Sequence, residues 1–251
     1  MKLSKSKVNS FLKCRREFKY NYIDNIEMPP NEYMAFGTLM HEYAEKMGNF
    51  LKKIQDEGPG IIDDDIELAK IHALGGKVLV KGDVNDDEID KYLDNLVMFF
   101  HRCLIGYEYS IFSIEDYIHD TDVNLSGLAD IVFENLDGDL IIVDYKTSKS
   151  KSIKQYRLEL CYYKKLLEFQ YSDKKVITAG IYFIKDNGYR FANFSNNQVK
   201  GTSISSEDYE AAIHLLDYIR EEINKGIFLP SRSYTCKYCC YRDLCDRDGN
   251  F

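Results

Sequence analysis

The sequence predicts an α/β (α+β) fold in which a mixed central sheet is flanked by helices. Apolar residues recur at helical spacing through the first 110 residues, and shorter apolar or alternating runs bounded by turn residues then follow. The resulting order is helices, three strands, a helix, two strands and a helix, which is typical of a sheet covered by helices. With 251 residues we expect one domain, made of a helical part (about 1–110), a core (about 111–195) and a C-terminal helix and tail (about 203–251).

Each element is predicted by a local pattern. The stretch that starts at Ser4 is typical of one amphipathic helix carrying Cys14, with Ser4 or Ser6 as its N-cap. Further helical patterns cover residues 33–53, 63–74, 87–109, 153–169 and 206–225. Strand patterns cover residues 111–119, 125–133, 140–145, 175–184 and 189–193. From Pro230 onward we expect an irregular, cysteine-rich tail.

The composition excludes several classes of protein. No apolar run is long enough for a membrane helix and the N-terminus lacks the apolar stretch of a signal peptide, so we expect no membrane association and a cytoplasmic location. Seven cysteines in that compartment indicate metal ligands or buried thiols rather than disulfides. The net charge of −8 does not by itself indicate a nucleic-acid-binding protein.

The segment GLADIVFENLDGDLIIVDYK, residues 127–146, carries the most specific chemical pattern. Asp130 lies in one apolar run, and a second apolar run leads to Asp144 and Lys146. Because side chains alternate along a strand, Asp144 and Lys146 project from the same face. Two carboxylates and a lysine are the groups of a hydrolytic site for a hard cation such as Mg²⁺. The alternative interpretation is a strand-end acid and an exposed ion pair of little energetic value.

The tail CKYCCYRDLC contains three cysteines at C-x2-C-x5-C spacing, Cys236, Cys239 and Cys245, with Cys240 as a spare. Cys14, on the first helix, is the natural fourth ligand, whereas Cys103 and Cys161 lie in apolar helical patterns and are expected to be buried. Zinc and a 4Fe–4S cluster both take four thiolates. A tail that holds three cysteines and a distant fourth favours the cluster, and zinc remains the alternative.

Together these motifs resemble the PD-(D/E)xK nucleases of the RecB type, and most closely the iron–sulfur branch that includes Cas-four-like and AddB-like nucleases. The resemblance extends over nearly the whole chain. The opening SKVNSFLKCRREFKYNYI is similar to the branch's first helix, GTLMHEYAEK to its histidine motif, and GLADIV and IIVDYKTS to its two acidic motifs. ELCYYKK is similar to the Q-x-x-x-Y helix, with Tyr163 as the tyrosine and Glu159 where glutamine is expected.

The resemblance implies a restriction-endonuclease-like core, a cluster-bound tail and a metal-dependent DNA nuclease, of which exonuclease action on DNA ends or single strands is the common form. It implies Mg²⁺ or Mn²⁺ on His41, Asp130, Asp144 and the backbone carbonyl of Tyr145. Lys146 would position the attacking water, and Glu159 and Tyr163 would line the site. The implied cluster ligands are Cys14, Cys236, Cys239 and Cys245.

The expected partner is DNA. Basic residues directly follow the acidic motif, so the sequence favours strand contacts at Lys149, Lys151 and Lys154, with solvated surface charge as the alternative. Two other functions remain open. One is a CRISPR-adaptation component that trims spacer precursors together with an integrase, or a protein that works with recombination proteins. The other is a non-catalytic DNA-end-binding regulator.

Overall fold

The structure, a computed structural model, describes residues 1–28, 32–58, 60–75, 86–194 and 203–248. Residue 195 and residues 249–251, which end two of the expected parts of the chain, lie outside the described residues. The α-helices are α1 (Lys5–Lys13), α2 (Arg15–Tyr22), α3 (Glu32–Glu57), α4 (Asp63–Gly75), α5 (Asp86–His101), α6 (Arg157–Gln170), α7 (Ser206–Asn224) and α8 (Arg242–Arg247). The strands are β1 (Leu3–Ser4), β2 (Ser110–Asp120), β3 (Leu125–Glu134), β4 (Leu140–Lys146), β5 (Val176–Phe183), β6 (Gly188–Phe194) and β7 (Ser203–Ile204).

The described strands form one mixed sheet, as the sequence predicts. Antiparallel pairs join β2 to β3, β3 to β4 and β5 to β6, and parallel pairs join β1 to β3, β4 to β5 and β6 to β7. The sheet order is β1-β3-β4-β5-β6-β7, with β2 beside β3. Apolar residues of α1, α6 and α7 pack on one face, and those of α3, α4 and α5 pack on the other. The predicted mixed sheet flanked by helices is confirmed.

A fork in the sheet separates β1 from β4. Strand β2 pairs along one edge of β3 from Leu125 to Glu134, so β1 and β4 share the other edge. Strand β4 pairs with residues 131–134 of β3, and β1 pairs with Leu125 and Ser126. Residues 127–130 of β3 therefore face the opening between these two partners. Lys5, the first residue of α1, follows β1 directly and enters this opening.

The first predicted helix is corrected to two. Cys14 has extended backbone angles (φ −160°, ψ 113°) and separates α1 from α2. This single extended residue redirects the chain, so that Phe11 and Phe18 from the two helices meet edge to face, with ring centroids 5.3 Å apart. Cys14 is thus held at a helix junction rather than within a helix.

Three other boundaries differ from the prediction. Helix α5 ends at His101 and continues as a π-helical turn to Gly106, and the helix expected from Ile153 starts with a 3₁₀ turn. The tail is not irregular throughout, because Ser233 caps a 3₁₀ turn over Tyr234–Tyr238 and α8 follows. Among the described helices none is long and apolar enough to cross a membrane.

Candidate active site

The two acidic residues of the central motif meet at the fork. Asp130 is the last residue of β3 before its pairing with β4 begins, and Asp144 lies on β4 just beyond the terminal pair, Ile131 with Val143. The backbone N–H of Tyr145 donates to Asp130 Oδ2 at 2.6 Å and so links the diverging strands. Asp144 is 1% exposed, which would be costly for a carboxylate without charged partners. The position of this acid therefore depends on the groups around it.

Two lysines and a tyrosine surround Asp144. Its Oδ1 lies 2.6 Å from Lys5 Nζ and accepts from the Tyr163 hydroxyl at 3.0 Å, while its Oδ2 pairs with Lys146. Burial alone would raise the pKa of Asp144, but the ammonium groups of Lys5 and Lys146 outweigh it and hold this pKa well below its usual range. Asp144 is thus ionised in the folded protein.

Glu159 completes this buried cluster from α6. It is 6% exposed, and its Oε1 lies 2.8 Å from Lys5 Nζ and 3.1 Å from Lys146 Nζ. Each lysine therefore bridges Asp144 and Glu159. The two carboxylates and two ammonium groups balance one another in charge, which makes their burial tolerable.

His41, Glu115 and Asp130 form a second cluster, which opens to solvent. One ligand atom from each of the three lies within 4.8 Å of the others, and His41 Nδ1 is 3.6 Å from Asp130 Oδ1. They line an open groove of about 400 Å³ together with Leu128 and residues of α3. Burial would lower the pKa of His41, but Asp130 raises it above its usual value. Carboxylate oxygens and an imidazole suit Mg²⁺ or Mn²⁺, so the donors present fit the implied cation.

Glu115 is the member of this cluster that sequence reasoning missed. Its φ is +46°, a left-handed conformation that costs a non-glycine residue on the order of 1–2 kcal/mol. The side-chain alternation of β3 also changes opposite Glu115. Residues two apart on a strand normally share a face, yet Ala129 and Ile131 pack in the cores on opposite faces of the sheet. Burial first, and then the Asp130 carboxylate, raise the pKa of Glu115 to about 7. The charged pair Glu115–Asp116 inside an otherwise apolar strand pattern is the signal that could have found it.

The structure brings six of the predicted side chains to the fork: His41, Asp130, Asp144, Lys146, Glu159 and Tyr163. The Tyr145 ring packs against both Phe99 and His41, on the face of β4 opposite Asp144, and its backbone N–H donates to Asp130. The predicted DNA contacts Lys149, Lys151 and Lys154 are exposed on the connection between β4 and α6.

Four of the seven cysteines lie together. Cys14, Cys236, Cys239 and Cys245 line one cavity between the α1–α2 junction and the tail. The backbone nitrogens of Ser231 and Ser233 lie 3.4 Å from the sulfurs of Cys14 and Cys236 respectively, so both sulfurs accept hydrogen bonds from the backbone.

The other three cysteines lie elsewhere. Cys240 is exposed, and it is not one of the residues that line this cavity in the described tail. Cys103 and Cys161 are buried, and burial raises the pKa of both thiols, that of Cys161 to about 12. These two behave as core residues.

Comparison with known proteins gives a family for the chain. The model of the PD-(D/E)XK nuclease superfamily matches residues 2–246. No curated protein matches the sequence. A solved structure described as "Crystal structure of SSO0001" is similar at 12% sequence identity and a TM-score of 0.36, over 82% of this chain and 84% of that chain. Similarity at that level establishes neither fold nor function.

Proposed function

The chain belongs to the PD-(D/E)XK nuclease superfamily, and we propose that it is a metal-dependent DNA exonuclease of the RecB type with an iron–sulfur-bound tail. One observation carries the nuclease proposal. Asp130, Asp144 and Lys146 converge at the fork of β3 and β4, beside a groove that His41 lines. Asp130 lines this groove, and Asp144 and Lys146 lie behind it at the fork, so a phosphodiester in the groove would reach a cation held there.

His41, Asp130 and Asp144 would hold Mg²⁺ or Mn²⁺, with Glu115 and the carbonyl of Tyr145 as further ligands. When bound, the cation would polarise the phosphoryl oxygen and lower the pKa of water. Lys146 stays beside this site through its ion pairs with Asp144 and Glu159, so its ammonium group orients the attacking water. Tyr163 fixes the orientation of Asp144 by its hydrogen bond.

Two finer parts of the proposal rest on the motif resemblance together with placement. Action on DNA ends or single strands follows from the resemblance, and the exposed Lys149, Lys151 and Lys154 are positioned to contact phosphates. The shared cavity of Cys14, Cys236, Cys239 and Cys245 supports a 4Fe–4S cluster that joins the tail to the first two helices.

Digestion of 5′- and 3′-labelled single- and double-stranded oligonucleotides tests the function. We expect cleavage that requires Mg²⁺ or Mn²⁺ and releases short products from one end. Asp144→Ala and Lys146→Ala should each abolish it, whereas Lys53→Ala, at an exposed lysine of α3, should not. Turnover like that of the wild type in a folded Asp144→Ala or Lys146→Ala variant would refute the assignment. Internal cuts would refute the exonuclease mode alone.

A further inference from the structure

Lys5 belongs to none of the recognised motifs, yet it contacts both buried acids. Its Nζ lies 2.6 Å from Asp144 Oδ1 and 2.8 Å from Glu159 Oε1, and it donates to the Tyr163 hydroxyl. The short strand β1 holds the backbone before it against β3, and Ser4 caps α1. The fold therefore delivers this ammonium group to the fork from the other end of the chain.

This arrangement restricts how a metal ion reaches Asp144. Both carboxylate oxygens of Asp144 are paired with ammonium groups, Oδ1 with Lys5 and Oδ2 with Lys146. A carboxylate oxygen accepts about two bonds, and Oδ1 already has Lys5 and the Tyr163 hydroxyl as partners, so a divalent cation that binds Oδ1 displaces one of them. Lys146 lies two residues from Asp144 on the same face of β4, so its backbone is fixed next to this carboxylate. Lys5 comes from another element, and Glu159 Oε1 lies closer to its Nζ (2.8 Å) than to that of Lys146 (3.1 Å).

We propose that Lys5 is a positioning residue, an internal counter-cation that holds Asp144 in the metal-free protein and yields it to the divalent ion, while Glu159 retains the displaced ammonium group. This inference rests on the proposed function. It also gives a physical reason for an acid at position 159, where the resembling nucleases have glutamine, since a carboxylate holds the displaced ammonium group more strongly than an amide does.

The consequence is competition between Lys5 and the metal. Lys5→Met removes the competitor, so Mn²⁺ should bind on the order of tenfold more tightly. Lys5→Arg keeps the charge and can hold both carboxylates in a forked geometry, so Mn²⁺ should bind more weakly than in the wild type. Glu159→Gln removes one of the two carboxylates that pair with Lys5 and leaves it with Asp144. Lys5 should then be harder to displace from Asp144, so Mn²⁺ binding should weaken. This loss should be much smaller when Lys5 is also methionine.

The test is a Mn²⁺ titration of the whole protein, without DNA, in which the electron paramagnetic resonance signal reports free Mn²⁺. The variants are Lys5→Met, Lys5→Arg, Glu159→Gln and Lys5→Met/Glu159→Gln. Lys7→Met is the matched control, because Lys7 lies on the same helix and contacts the Lys2 carbonyl rather than the acids. Melting in EDTA and in Mn²⁺ supplies a second measurement. Lys5→Met should melt earlier than the wild type in EDTA, and Mn²⁺ should restore more stability to it.

Each outcome decides a different claim. A wild-type protein that binds no Mn²⁺ would overturn the proposed function itself. If the wild type binds Mn²⁺ but Lys5→Met binds no tighter than Lys7→Met, the role of Lys5 is wrong and the nuclease proposal stands. Equal effects of Glu159→Gln with and without Lys5 would overturn the pairing with Glu159. If Lys5→Met does not fold, Lys5→Arg decides the matter, and affinity equal to that of the wild type refutes the proposal.

Discussion

Replacing Glu115 by glutamine should remove a pH-dependent loss of stability from the metal-free protein. The pKa of Glu115 is raised to about 7 in the folded state, from an ordinary value of 4.5. An acid with a raised pKa favours the folded state when protonated, so its contribution is lost as the pH rises from about 4.5 to about 7. The full shift corresponds to about 3 kcal/mol, and partial solvent screening reduces this to about 1–2 kcal/mol.

The titration of His41 also makes the folded protein less stable as the pH rises. Its raised pKa means that its stabilisation is present below its ordinary pKa and is lost as the pH rises through the folded value. Glu115→Gln should therefore remove only the Glu115 part of the decline. Glutamine leaves the backbone and the side-chain length unchanged, so the strain of the left-handed conformation stays the same in both proteins.

Urea unfolding in EDTA at pH 5.5 and pH 8.0 measures this effect. Between these two conditions the wild type should lose about 1 kcal/mol more stability than Glu115→Gln, because part of the total loss already occurs below pH 5.5. Mn²⁺ at pH 8.0 should restore stability to the wild type and restore less to the variant, because an amide is a weaker ligand for a hard cation. Parallel losses in the two proteins would refute the assignment of a strained, proton-binding carboxylate to this position.

Two further pairs of substitutions test the surroundings of the site. Tyr163→Phe should cost about 1 kcal/mol in unfolding free energy, because it removes a hydroxyl that is hydrogen-bonded to Asp144. Tyr162→Phe should be neutral or stabilising, because that buried hydroxyl has no hydrogen-bond partner among the described residues. Equal losses of unfolding free energy on chemical denaturation would contradict this. Cys14→Ser should give anaerobically purified protein without iron or visible absorbance, and Cys240→Ser should keep both. Stoichiometric zinc without iron in the wild type would exclude the cluster and leave the four-cysteine site.

Local patterns predicted the parts of the site that lie close together in the chain. The two-residue period of a strand predicts that Asp144 and Lys146 share a face. Asp130 is predicted to lie near them because a short hairpin joins β3 to β4. Glu115 itself has a left-handed backbone conformation, at the point where the side-chain alternation of β3 changes. The regular two-residue period of a strand does not predict such a position. The contact of Lys5 with Asp144 spans 139 residues and depends on β1, which is too short to have a strand signature.

Cys14 shows the same limit on a smaller scale. The sequence predicted its partners in the tail, because closely spaced cysteines indicate a shared ligand. It did not predict that Cys14 interrupts the helix, because the contact of Phe11 with Phe18 that accompanies the interruption is a tertiary one. Tertiary packing here outweighs the helical pattern of the whole segment.

The buried charges at the fork are themselves an argument for function that does not depend on the family. Asp144 and Glu159 are nearly inaccessible, and β4 is otherwise lined by Leu140, Ile141, Ile142 and Val143. Removing ions from water costs about as much as a buried pair returns, so apolar residues of the same volume would support this sheet at least as well. Stability therefore does not explain why the acids and lysines lie here. Under the proposed function, ammonium groups that neutralise Asp144 keep this metal ligand ionised and in place until a divalent cation binds, which no apolar core could do.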